Sequence, residues 1–146
     1  MRIALLNGPN LNLLGRREPA LYGRTTLAEI EERLAAVARE LGVSLTCAQH
    51  NGEGELVTAV QELADAADGA IVNAGAYSHT SLAIRDAFAS VNVPYVEVHL
   101  TNIFAREPER RHSMLAAGAT AVLCGFGATG YELALRGLVE ALAARG

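Results

Sequence analysis

Hydrophobic positions along this chain come in two alternating textures. Short continuous or period-two apolar runs read as strands, and longer stretches with apolar residues three and four apart read as helices. Arg2–Asn7 is an apolar run that stops at Asn7-Gly8-Pro9-Asn10, a turn signal. Thr26-Leu27-Ala28-Glu29 is a capping box. Leu27, Ile30, Leu34, Val37 and Leu41 follow at helical spacing until Gly42. Val43–Gln49 alternates as a strand, and Glu55–Ala67 puts Leu56, Val60 and Leu63 on one helical face. Ala70–Asn73 is a buried strand. Thr80 or Ser81 caps a helix carrying Leu82, Ile84, Ala87 and Phe88. Pro94–Val98 and Ala119–Cys124 are the last two strands, and Ala128–Ala144 is the closing helix. Asn102–Ala117 has no sustained period and reads as a loop holding at most one short helix.

Strict strand–helix alternation implies a parallel sheet with right-handed crossovers and helices on both faces. The expected fold is a three-layer, flavodoxin-like α/β domain over residues 1–146, with five parallel strands in the order 2-1-3-4-5. There is no linker, repeat or low-complexity segment. Ligands of such sheets gather beyond the carboxyl ends of the strands. Those ends carry Asn7–Asn12, Asn73–Ser81, Glu97–Asn102 and Gly125–Gly130, all rich in polar side chains or glycine.

Composition removes several function classes. A net charge of −4 lacks the basic face that nucleic acid requires. No apolar run approaches the roughly 20 residues of a membrane helix. The opening Met1–Asn7 is too short for a signal peptide, so a cytoplasmic location is expected. Cys47 and Cys124 fall in apolar strand-like runs on opposite sheet edges. They read as two small buried hydrophobes far apart, not as a disulfide. All twelve basic residues are arginine. Without lysine, Schiff-base catalysis and a P-loop are excluded.

The connection from Gly8 to Thr25 is long for a strand-to-helix loop, for which about 2–6 residues is usual. Glycine-flanked and cation-rich, it reads as a lid or as a solvated surface loop. Its Tyr22 is a poor base at the ordinary tyrosine pKa of about 10 unless a nearby guanidinium favours the anion, and Arg17 is the evident candidate. In Glu97–Asn102, period-two alternation puts Glu97 and His99 on one face. A carboxylate beside an imidazole fixes its tautomer and favours its charged form, which suits a general acid; a purely structural Glu–His pair fits the spacing equally. The Leu100 and Thr101 backbone N–H groups could receive a carboxylate. Arg106, Arg110 and Arg111, with His112, read either as a solvated helix start or as a source of one cation for an anionic or polyhydroxylated ligand. Asn73, Ser78 and His79 suit sugar-like hydroxyls and equally cap turns. His79, His99, Glu97 and His112 could bind metal on paper, but no HxH or HxxxH spacing supports it, and none is expected. Gly125–Gly130 lacks the following strand and acid of a dinucleotide loop.

Taken together, Asn7–Asn12, Gly15–Pro19 with Tyr22-Gly23, Asn51–Leu56, Asn73–Ser81, Ala83–Ala87, Glu97–Asn102 and Gly125–Gly127 with Gly130-Tyr131 closely resemble the type II 3-dehydroquinate dehydratases. The blocks occur in order and cover practically the whole chain. The resemblance implies cofactor-free, metal-free anti elimination of water from 3-dehydroquinate, giving 3-dehydroshikimate through an enolate. The reaction belongs to the shikimate pathway of chorismate and aromatic amino-acid biosynthesis, or to quinate catabolism. By the same resemblance, Tyr22 as tyrosinate removes the C2 proton, Arg17 on a mobile lid supports it, and His99 protonates the departing C1 hydroxyl. Asn10 holds a water near the enolate oxygen, and Glu97 partners His99. Asn73, His79, Arg110 and the Leu100 and Thr101 backbone match substrate-binding positions. Asp86 matches an aspartate that reaches a neighbouring subunit's site, which implies a trimer and a dodecamer of four trimers. Gly52 stands where the family often has His, Ser78 where it often has Thr, and Thr101 where Ser is common. The absence of lysine agrees with this dehydroquinase class, because the other class uses a lysine Schiff base.

Two other functions share the fold. An FMN-binding flavodoxin-like protein would need a Ser/Thr/Gly phosphate loop after strand 1, where this chain has Asn7-Gly8-Pro9-Asn10-Leu11-Asn12. A receiver-like signalling domain would need an acidic cluster there, an Asp at the end of strand 3 and a Lys after strand 5. This chain has Asn7, Asn73 and no Lys.

Overall fold

The computed structural model describes residues 1–146. Five parallel strands, β1 (Arg2–Asn7), β2 (Ser44–Gln49), β3 (Gly69–Asn73), β4 (Tyr95–His99) and β5 (Ala121–Cys124), form one sheet in the order β2-β1-β3-β4-β5. This is the expected order. The helices are α1 (Pro19–Tyr22), α2 (Leu27–Leu41), α3 (Glu53–Ala66), α4 (Leu82–Val91) and α5 (Thr129–Arg145). Element ends differ from the sequence reading by one or two residues, as fraying termini do. Where Asn102–Ala117 reads as a loop with at most one short helix, the chain holds two 3₁₀ turns, Ile103–Ala105 and Pro108–Arg110, and begins a third, Ala116–Gly118.

Strand alternation sorts the core into two clusters of 16 buried residues each. Ile3 and Leu5 of β1, Ile71 of β3, and Val96 and Val98 of β4 pack against Ile30 and Leu34 of α2 and Leu135 and Leu138 of α5. The opposite side chains, Ala4, Leu6, Ala70, Val72 and Tyr95, meet Leu56 and Val60 of α3 and Ile84 and Phe88 of α4. Burying one Leu or Ile side chain contributes roughly 1.5–3 kcal/mol. Each face therefore has enough apolar area to fix the sheet register.

Caps set the helix ends as the sequence suggests. The Thr26 hydroxyl accepts from the Glu29 N–H at 3.2 Å, and Gly42 ends α2 at φ 70°. Of the two candidate caps for α4, Ser81 is the one used, accepting from the Ile84 N–H at 3.0 Å.

The cysteines correct the sequence reading. Cys47 is exposed and Cys124 only half-buried. Both lie on edge strands, each of which has a neighbour on one side only, so apolar sequence there does not guarantee cover. They remain free thiols on opposite edges.

Candidate active site

The first connection leaves β1 at a point where only glycine fits. The Gly8 N–H donates to the Asn73 carbonyl at 2.8 Å, and a Cβ on Gly8 would lie 2.4 Å from the Ala74 carbonyl oxygen. Leu11 and Leu14, both buried, then pin the loop to the core. Asn10 sits between them and the strand in the left-handed region (φ 69°), its N–H donating to Asn51 Oδ1 at 3.1 Å. Beyond this anchor the chain forms the four-residue helix α1, bracketed by two left-handed residues, Glu18 (φ 39°) and Gly23 (φ 80°). Tyr22 closes that helix. Its ring lies beneath the Arg17 guanidinium, 4.8 Å from Cζ to the ring centroid, and its hydroxyl accepts from Arg106 Nη1 at 3.0 Å. Two cations thus flank one phenol, with opposite sign to any charge the phenol would acquire.

The end of β4 supplies the partner group. Tyr95, Glu97 and His99 alternate onto the α3/α4 side of the sheet, while Val96 and Val98 enter the other cluster. Glu97 is fully buried and His99 nearly so. His99 Nε2 is bonded to Glu97 Oε2, leaving Nδ1 without a protein partner. Glu97 Oε1 accepts from the Ser113 hydroxyl at 2.7 Å. Immediately after the strand, the Leu100 and Thr101 N–H groups donate to no protein acceptor, so two adjacent donors remain for an anion.

The end of β3 completes the floor. Asn73 Nδ2 donates to the Tyr131 hydroxyl at 2.9 Å, and Asn73 Oδ1 accepts from the Gly75 N–H at 3.1 Å. The Tyr131 hydroxyl in turn donates to Asn7 Oδ1 at 2.7 Å, so one amide orientation is imposed on Asn73. His79 and His112 clasp each other. His79 Nδ1 donates to the His112 carbonyl at 2.6 Å, and His112 Nε2 donates to the His79 carbonyl at 2.9 Å. Burial holds the His79 imidazole below its ordinary pKa, against the raising effect of that hydrogen bond, and the neighbouring His99, Arg110 and His112 push it the same way. A neutral His79 with Nδ1–H engaged presents Nε2 as an acceptor. Its ring stacks on His99 with centroids 5.9 Å apart.

These groups border one cavity of about 110 Å³. Asn10, Arg17, Tyr22, Asn73, His79, His99, Leu100, Thr101, Arg106 and Arg110 all line it. A wider groove of about 500 Å³ adjoins it, sharing Tyr22, Leu100, Thr101 and Arg106 as a common wall. Of the two, only the smaller cavity is lined by both Tyr22 and His99.

Not every expected residue arrives there. Asp86 lies elsewhere, on α4, largely exposed and 3.8 Å from Arg85 Nε, so this chain does not bring it to its own cavity. Glu97 sits behind His99 and does not line the cavity. Of the three arginines after β4, Arg106 and Arg110 line it, whereas Arg111 turns to the Arg106 carbonyl. Arg110 Nε is paired with Glu107. Ser78 is fully buried with its hydroxyl unpaired and does not face the cavity.

Sequence reasoning did not single out Arg106 as the residue that bonds Tyr22, nor Tyr131 and Ser113 as supports. One signal was available for the first support. Asn7 and Asn73 end adjacent strands at the same register, and two buried amides side by side require a third polar group.

The arrangement offers a potential base under two guanidiniums, an imidazole oriented by a carboxylate, and an anion-binding backbone turn. It fits proton removal and proton delivery on an anionic, hydroxylated ligand. No group of three or more His, Cys, Asp or Glu side chains converges as a metal-binding set.

The model of the class II dehydroquinase family matches residues 1–139. A 3-dehydroquinate dehydratase of Gemmatimonas aurantiaca is 60% identical over 142 residues, covering 97% of this chain and 93% of the relative. One from Prochlorococcus marinus is 51% identical, covering 97% and 98%. Among solved structures, the type II dehydroquinase of Propionibacterium acnes superposes with a TM-score of 0.90 at 42% identity, covering 95% of this chain and 96% of that one. That of Butyrivibrio crossotus gives 0.93 at 36%, covering 95% and 97%. With sequence and fold in agreement along nearly its full length, the chain belongs to the class II dehydroquinase family.

Proposed function

We propose that this chain is a 3-dehydroquinate dehydratase, a hydro-lyase that converts 3-dehydroquinate to 3-dehydroshikimate by anti elimination through an enolate. The observation that carries the reading is Tyr22, held between Arg17 and Arg106, in the same cavity as a His99 backed by Glu97.

The C2 proton lies beside a ketone and still does not leave unaided at neutral pH. A base must take it while the developing enolate is stabilised. Tyr22 as phenolate takes that proton, its charge offset by the Arg106 N–H and by the Arg17 guanidinium. The C2–H electrons move into the ring and charge develops on the C3 oxygen, where Asn10 orients a water. On collapse of the enolate the C1–O bond breaks, and His99 Nδ1 gives its proton to the departing hydroxyl, which leaves as water. Oxidation states are unchanged, and no electron acceptor is needed.

The Leu100 and Thr101 N–H groups receive the substrate carboxylate, and Asn73, His79 and Arg110 receive its hydroxyls. This assignment rests on the free donors, the oriented amide and the acceptor nitrogen described above. Both proton-transfer groups come from side chains, so neither metal nor cofactor enters the reaction. Asp86, exposed and remote from this chain's own cavity, acts on a neighbouring subunit's site in a trimer, four of which assemble into a dodecamer. No helix is long and apolar enough to cross a membrane, and we assign the enzyme to the cytoplasm.

The deciding experiment is a direct absorbance assay for the conjugated enone product, with and without chelator. Chelator-insensitive formation of enone is expected. No enone from 3-dehydroquinate would refute the activity, and loss with chelator would refute the metal-free mechanism. An FMN-binding protein of the same fold would purify yellow; this one is expected to be colourless.

A further inference from the structure

We infer that Ser113 is a positioning residue that makes Glu97 a one-way acceptor and thereby sets which nitrogen of His99 carries the mobile proton. The inference rests on His99 acting as the acid.

A serine hydroxyl has one hydrogen and two lone pairs. Ser113 Oγ accepts from the Leu115 N–H at 3.0 Å and from the Ala116 N–H at 3.1 Å, which occupies both lone pairs. Its single hydrogen can then only be donated, and the acceptor within reach is Glu97 Oε1 at 2.7 Å. That carboxylate oxygen is committed to accepting from serine, so only Oε2 faces His99. Bonded to Oε2, His99 keeps its Nε2–H, and Nδ1 becomes the nitrogen that gains and loses a proton. Without the serine as donor, Glu97 could carry a proton and donate to His99 as well as accept from it, and the imidazole could change tautomer.

The serine is itself held rigidly. The Met114 N–H donates to the Ser78 carbonyl at 2.7 Å, the Tyr95 hydroxyl donates to the Leu115 carbonyl, and the His79–His112 clasp ties the residue before it. Segment 112–116 is thus fastened both to β4 and to the turn after β3. The serine hydroxyl enters the same buried face of β4 that carries Glu97 and His99. No substrate contact is involved; Ser113 acts through Glu97.

Removing the hydroxyl deletes three hydrogen bonds: one donated to the buried Glu97 carboxylate, and two accepted from the Leu115 and Ala116 N–H groups, whose loss the unfolding midpoint reads separately. Bonds of the first kind correspond to about a tenfold or greater rate effect when they act in the transition state. The test uses the full-length enzyme with Ser113→Ala and Ser113→Thr, each alone and in a Glu97→Gln background. Enone formation, KM, C2 hydrogen exchange in deuterated buffer and the unfolding midpoint are read for each. We expect Ser113→Ala to lose about tenfold or more in kcat for dehydration with KM and C2 exchange retained. Ser113→Thr restores kcat, and in the Glu97→Gln background Ser113→Ala costs little more, since its target is already altered. Should Ser113→Ala fail to fold, Ser113→Cys, a weaker donor of similar size, must show the same split.

Wild-type dehydration in a folded Ser113→Ala or Ser113→Cys variant overturns the inference. So does a parallel fall of exchange and dehydration, or an undiminished further loss on the Glu97→Gln background. His99→Ala runs alongside. If it dehydrates normally, the acid assignment fails and this inference falls with it. If it loses dehydration while the serine variants keep it, the positioning role alone is refuted.

Discussion

Tyr131→Phe is a single-atom deletion that tests how the Asn73 amide, proposed to bind substrate, is held. The ring of Tyr131 is fully buried in α5. Its hydroxyl is the donor to Asn7 Oδ1 and the acceptor for Asn73 Nδ2. Asn7 is also fully buried, and its Nδ2 has no partner even in the intact protein. Without the hydroxyl, Asn7 would have no hydrogen bond from either side-chain atom, and Asn73 would lose the acceptor that fixes its amide. Each stranded buried group costs about 1–3 kcal/mol, so the loss should be about 2–4 kcal/mol after allowing for relaxation. For a chain of this size that is a fall of about 5–15 °C in the unfolding midpoint. Calorimetry measures it directly, and steady-state kinetics should show KM rising more than kcat falls, because Asn73 is then held by the Gly75 N–H alone. A stricter test adds Asn7→Leu. Removing both partners together is gentler than removing one, so the double variant should melt higher than Tyr131→Phe alone. A midpoint within about 2 °C of wild type for the single variant, or a double variant that melts lower still, would refute the network argument.

Tyr22→Phe should abolish turnover with substrate affinity nearly intact, measured by calorimetric titration and the enone assay; near-normal kcat would remove Tyr22 as the base. His99→Ala should lose elimination while C2 exchange in deuterated buffer persists, and an equal fall in both would argue against separate acid and base. Arg106→Ala should cost about tenfold or more in kcat, because it removes a charged donor from the Tyr22 hydroxyl, whereas Arg111→Ala should leave kcat unchanged. Burial pushes Tyr95 up to about 12, aided by Glu97, and pushes Tyr131 higher still, opposed by the Asn73 hydrogen bond. A group whose folded pKa is raised contributes stability in full below its unfolded value of about 10 and loses it as pH rises from there. Denaturant titrations should therefore show stability falling between about pH 10 and 12 with a slope that Tyr95→Phe reduces; an unchanged slope would count against that titration. Gly8→Ala should fail to give stable protein, since its Cβ would meet the Ala74 backbone at 2.4–3.0 Å with nothing flexible to yield.

The alternation of strands and helices was readable because each element buries one face and writes its period into the sequence. Even the Thr26 cap followed from side-chain chemistry within three residues, and the cap of α4 was narrowed to Thr80 or Ser81, of which Ser81 is used. Glu97 and His99 were found for the same reason, as period-two neighbours on a strand. Legibility stopped where geometry is set by tertiary contact. Asn102–Ala117 has no period, and nothing local says that Arg106 folds back to Tyr22, 84 positions away, while Arg111 does not. Cys47 and Cys124 were misread as buried because an apolar strand looks alike at the centre and the edge of a sheet; only the strand order exposes them. Ser113 gave no sequence signal at all, since its role depends on three partners chosen by the turn around it.

The Asn7–Tyr131–Asn73 link has a kinetic consequence as well. It joins residues 124 and 58 positions apart in sequence, and its middle member lies in the last helix to be synthesised. Such contacts close late, because the loop entropy must be met before they form. During translation β1, β3 and most of the cavity wall emerge first, yet the Asn73 amide is held on one side only, by the Gly75 N–H, until α5 docks. The nascent chain can therefore be compact before the floor of its cavity is complete. In refolding experiments, enone-forming activity should return after the sheet signal has recovered, in step with docking of the final helix.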